Sequence, residues 1–89
     1  MQLTKRIERM RRSPRSAGSR ELIWVFRRLG CTVTPGRGDH QVASHPLWRY
    51  PYPFPHPVEP LGVAYIVEAL DLIDQILAER GGRQDASLA

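Results

Sequence analysis

Hydrophobic positions in this chain recur with a helical period at both ends and with a period of two in the middle. Leu3, Ile7 and Met10 fall at i, i+4 and i+7 among Lys5, Arg6, Arg9, Arg11 and Arg12, which predicts a short basic helix over residues 4–12. Pro14 and the Ser/Gly-rich run 13–19 stop it and read as a linker. Leu22, Val25, Phe26 and Leu29 mark the face of a second helix over 20–29. Ser19 is placed as its N-cap, Glu21 lies in its first turn, Arg27 and Arg28 in its last, and Gly30 just beyond.

The middle of the chain reads as strands. Cys31-Thr32-Val33-Thr34 alternates and is β-branched, and it ends at the turn Pro35-Gly36-Arg37-Gly38. A second strand, from about 40 to 45, should return antiparallel. Residues 50–55 alternate aromatic and proline. Pro51, Pro53 and Pro55 remove N–H donors from one edge only, which makes this an edge strand with Tyr50, Tyr52 and Phe54 on one face. A polyproline-II segment outside the sheet is the alternative. Val63, Ile66, Val67, Leu70, Ile73 and Leu77, widened by Ala69, Leu72 and Ile76, then stripe a long helix over 61–79, with Gly81-Gly82 as its stop.

The element order gives an α+β domain: helix, three antiparallel strands in one sheet, helix, with the two main helices on one face and a short basic helix in front. The expected divisions are a basic arm and linker at 1–18, a folded domain at 19–80 and a polar tail at 81–89. The arm, with its narrow stripe, is expected to be loosely attached and to contact phosphates rather than a core.

Charge sharpens that expectation. Residues 1–30 carry nine Lys/Arg against Glu8 and Glu21, a net of +7, whereas residues 56–89 have a net of −4, and twelve of the thirteen cations are arginine. A basic front half rich in arginine suits bidentate contacts to a polyanion. The lone Cys31 excludes an internal disulfide and a cysteine-based zinc site. No apolar run is long enough for a membrane span, and the basic start lacks a signal-peptide core, so a cytoplasmic protein is expected.

All three histidines lie between Gly36 and Pro57. Gly36-Arg37-Gly38-Asp39-His40, His45-Pro46 and Pro55-His56-Pro57, set between two amphipathic helices, resemble the HicA-type toxins of bacterial toxin–antitoxin modules over roughly residues 19–77. The resemblance implies an αβββα fold like that of double-stranded-RNA-binding domains and a ribosome-independent endoribonuclease that cuts mRNA. It also implies a HicB-type antitoxin protein as partner, and it places the catalytic histidine at His40. The family usually has Ser or Thr before that histidine, where this chain has Asp39, and commonly an aromatic three residues after it, where this chain has Ala43. Asp39 would either repel a scissile phosphate or orient His40. A non-catalytic RNA-binding module regulated by a protein partner, or a pure protein-interaction module, are the alternatives.

The chemistry suits a histidine. RNA carries its own nucleophile, the 2′-OH, so cleavage needs proton transfer near neutral pH and a cationic phosphate site, with no metal or other cofactor. Arg37 or the backbone N–H groups of Gly36–Gly38 would hold the phosphate, with Lys5, Arg6, Arg9, Arg11, Arg12 and Arg15 of the arm extending the RNA contact. His45, roughly 16–17 Å along the strand and on its other face, reads as structural. His56 is the candidate for a supporting role, and no close-spaced ligand pair supports zinc.

Overall fold

The computed structural model describes the backbone of residues 2–88 and the side chains of residues 2–81. Its elements are α1 (Leu3–Arg12), α2 (Ser19–Arg28), β1 (Thr32–Pro35), β2 (His40–Ser44), β3 (Tyr52–Pro55) and α3 (Val63–Leu88). The strands form one antiparallel sheet in the order β1-β2-β3. This is an α+β domain with the αβββα order and an additional N-terminal helix.

β3 is an edge strand, as its prolines require. Gln41 faces Phe54 and Ala43 faces Tyr52 across the ladder, while Pro53 and Pro55 face Val42 and His40. Cross-strand partners and every second residue along a strand share a sheet face, so Ala43, Tyr52 and Phe54 point into the core with the half-buried Val33. Phe26 of α2 meets three rings there, with centroids 5.4 Å from Trp48, 6.3 Å from Tyr52 and 6.0 Å from Phe54. α3 is tied to the same side: the Tyr52 hydroxyl donates to Tyr65 O at 2.8 Å and Trp48 Nε1 donates to Leu72 O at 3.1 Å. The opposite face of the sheet, with Thr32, Thr34, His40, Ser44 and Pro53, is exposed.

Several expectations are corrected. Tyr50 does not join Tyr52 and Phe54. It is 70% exposed and precedes β3, because a turn closed by Trp48 N to His45 O redirects the chain and puts Trp48 into the core instead. Ser19 does not cap α2. Gly18 is the N-cap, and Ser19 is a fully buried first-turn residue whose hydroxyl bonds elsewhere. α3 continues through Gly81 and Gly82 to Leu88. Glycine in a helix costs about 1 kcal/mol relative to alanine but does not forbid one, and Gly81 is not among the glycines with positive φ. Val63 and Val67 on α3 are exposed, while Leu61, just before the helix, is buried.

The largest correction concerns α1. Ile7 and Met10 are buried in the same core as Leu22, Phe26 and Ile73, and Leu3 packs against it. Three apolar residues suffice because they meet the joint surface of α2 and α3, and burying a side chain of this size contributes about 1.5–3 kcal/mol. The linker is stitched down as well: Ala17 is buried and its carbonyl accepts the Leu61 N–H at 2.9 Å. The N-terminal segment is part of the domain and not a loose arm.

Candidate functional site

The residues expected to form the site lie at the β1–β2 hairpin. Gly36 N–H donates to His40 O at 2.8 Å and His40 N–H donates to Arg37 O at 2.9 Å, so the four residues 36–39 form a closed loop. Two different demands fix the glycines. Gly38 has φ 54, in the left-handed region, whereas a Cβ on Gly36 would come within 2.8 Å of Val42 Cγ2. The Gly36 amide, expected at the phosphate, is therefore spent on the hairpin. The N–H groups of Arg37, Gly38 and Asp39 have no acceptor among the described residues.

Arg37, Asp39 and His40 are all exposed. His40 opens β2 opposite Pro55, on the sheet face away from the helices. No hydrogen bond to a described residue holds its ring, and the Asp39 side chain does not orient it. The Asp39 backbone contributes instead, its carbonyl accepting the His56 N–H at 2.8 Å.

His56 thus lies at the same ladder end as His40 but one step along the strand alternation, on the opposite face. The two imidazoles do not converge on one reacting atom. His56 is half-buried and its Nδ1 is 2.8 Å from Ser19 Oγ, which also accepts the Val58 N–H at 2.9 Å. It lines a cleft of ≈ 340 Å³ with Arg20, Ile23 and Arg27 of α2 and Gln41 of β2. Sequence reading did not single out Ser19, Arg20, Arg27 or Gln41 as a group. The available signal was the spacing of Arg20, Ile23 and Arg27 at i, i+3 and i+7, one stripe beside the buried face of α2.

His45 is structural as expected. Its Nδ1 accepts the Leu47 N–H at 3.1 Å and its ring lies 5.8 Å from that of Trp48. Among the described residues no group of three His, Cys, Asp or Glu could hold a metal ion. Cys31 is buried, and burial pushes its thiol up to about 11, away from thiolate chemistry.

The N-terminal cations divide into two sets. Arg11 pairs with Asp74 through both terminal guanidinium nitrogens, Nη2 donating to Oδ1 and Nη1 lying 3.1 Å from Oδ2. The hydrogen bond from Arg11 holds the Asp74 carboxyl below its ordinary range. Arg6 lies 3.7 Å from Glu21 and 4.9 Å from the centre of the Trp24 ring, which Arg28 also covers at 4.8 Å. Those two arginines serve tertiary contacts. Lys5, Arg9, Arg12 and Arg15 are exposed with no ion pair to a described residue, and they form the free basic surface of this end.

Among the described residues no helix is long and apolar enough to cross a membrane. No protein-family model, no curated protein and no solved structure matches the chain.

Proposed function

We propose that this protein is a metal-independent endoribonuclease of the HicA-toxin kind, built on a fold like that of double-stranded-RNA-binding domains and neutralised by a HicB-type antitoxin protein. His40 transfers the proton in cleavage of single-stranded mRNA. Arg37 and the N–H groups of Arg37, Gly38 and Asp39 receive the phosphate. The observation that carries this reading is the setting of His40: an exposed imidazole at the first position of a strand, directly after a glycine-shaped loop with unpaired N–H groups. Successive unpaired N–H groups suit an anion, and a nearby imidazole supplies general acid–base catalysis worth about 10²–10⁴-fold. The open sheet face around it lets a polymer, or a masking protein, approach without a deep pocket.

The deciding experiment compares wild type with His40→Ala on RNA in the presence of EDTA. The variant should lose at least about a hundredfold in cleavage and keep its melting temperature, because an exposed ring contributes little to stability. Cleavage retained by the folded variant rejects His40. A second reading, RNA binding without cleavage, draws on the exposed Asp39 carboxylate, which has no cationic partner among the described residues and stands where a phosphate would approach. Salt-dependent RNA binding with no products selects that reading.

A further inference from the structure

The cleft on the helix side of the sheet is built differently from the His40 loop. Its floor is Gln41, on the core-facing side of β2 opposite Phe54, and one wall is the α2 stripe of Arg20, Ile23 and Arg27. No acidic side chain lines it. Glu59, outside the lining, lies 3.9 Å from Arg20 Nε, and Arg27 has no ion pair among the described residues. Its volume of ≈ 340 Å³ falls in the range of small-molecule sites.

The histidine in this cleft is held in place. Ser19 Oγ accepts the Val58 N–H with one lone pair, which leaves its proton and a second lone pair for His56 Nδ1. A neutral Nδ1 accepts the hydroxyl proton, and a protonated Nδ1 donates to the second lone pair. The bond survives either state, so the ring keeps its orientation when it gains or loses a proton. Nε2 has no partner among the described residues and is the nitrogen left for a ligand. Two guanidinium groups, an amide and a fixed imidazole around one opening match a phosphate, which takes bidentate arginine contacts and a proton-bearing donor.

We propose that this cleft binds the phosphate group of a nucleotide or of free phosphate, between Arg27 and Arg20, with the His56 Nε2–H donating a hydrogen bond to it. The site is separate from the His40 loop and does not depend on RNA cleavage.

The test follows the ring resonances of the three histidines in the full chain while inorganic phosphate is added at constant ionic strength, with chloride as the control and uridine 5′-monophosphate as a second probe. The His56 resonance should move and saturate with its own midpoint, whatever the His40 resonance does, while that of His45 stays put. Arg27→Gln should weaken binding by at least about fivefold at an unchanged melting temperature, since it removes a charge-assisted pair from an exposed position. His40→Ala should leave the titration unchanged. Tighter binding of the nucleotide than of phosphate assigns the site to nucleotides, and equal binding assigns it to free phosphate. A His56 resonance that does not move overturns the proposal. So does a non-saturating drift of all three histidines, or undiminished affinity in Arg27→Gln.

Discussion

The Ser19 hydroxyl joins His56 Nδ1 at 2.8 Å where α2 begins and β3 has ended, and the same residue's N–H donates to Val58 O at 2.9 Å. With the Val58 N–H to Ser19 Oγ, one buried serine exchanges both backbone bonds of Val58 and fixes a histidine. This junction sets the cleft, because it holds the His56 ring against the first turn of the helix that carries Arg20 and Arg27.

Ser19→Ala should therefore cost about 1–3 kcal/mol, the penalty for leaving a buried donor without its acceptor. Urea unfolding measures it. A loss below about 0.5 kcal/mol, the size of an ordinary surface substitution, would show that water replaces the hydroxyl and that the junction is not a structural anchor.

Met10→Ala should cost about 2–5 kcal/mol, as for other large-to-small substitutions at fully buried positions. Arg12→Gln, two positions on and exposed, should stay within about 0.5 kcal/mol while weakening RNA binding and its salt dependence. Equal, small effects of both on melting would return the N-terminal helix to the status of a loose arm.

Much of this architecture is legible in the sequence because local rules and the tertiary context agree. The Leu22–Leu29 face, Gly30 as helix stop and the alternating prolines of β3 each follow from backbone geometry alone. The failures occur where a residue's partner is distant in sequence. Ser19 has the chemistry of an N-cap, but Val58 and His56 compete for its hydroxyl. The stripe of Leu3, Ile7 and Met10 reads as too narrow for a core until α2 and α3 are seen to complete it. His40 and His56 are close in the ladder, yet strand alternation at the β2–β3 end separates them by face, and only the register decides that.

The Arg11–Asp74 pair links α1 to α3 and should make stability depend on acid. The hydrogen bond from Arg11 depresses the Asp74 carboxyl in the folded state, so its contribution is fully present above the unfolded value of about 3.9 and is lost as pH falls through the lower folded value. The Asp74 side chain is 47% exposed, and solvent screening limits the contribution to at most about 1 kcal/mol. Asp74→Asn should be slightly less stable than wild type near pH 7 in low salt. The difference should vanish once acid has protonated Asp74 in the folded state, and it should shrink in high salt. A difference that persists through acid would assign the effect to packing of α1 on α3.

Asp39→Ser tests the position that bears most directly on the proposed RNA cleavage. The Asp39 side chain makes no bond to His40, and its backbone carbonyl, which receives the His56 N–H, is unaffected by the substitution. Orientation of His40 by Asp39 thus has no structural support, whereas repulsion of a phosphate at the unpaired N–H groups of the loop follows from the exposed carboxylate. One unit charge about 4 Å away in a water-like medium is worth about 1 kcal/mol, roughly a fivefold change. Asp39→Ser should therefore raise RNA affinity or cleavage about fivefold at low ionic strength, less in high salt, with the melting temperature unchanged. The single-variant assay on RNA, run at two salt concentrations, separates the possibilities. A salt-sensitive gain is the signature of a removed repulsion, and a large loss of cleavage in a folded protein would mean that the carboxylate engages His40 only once RNA is bound.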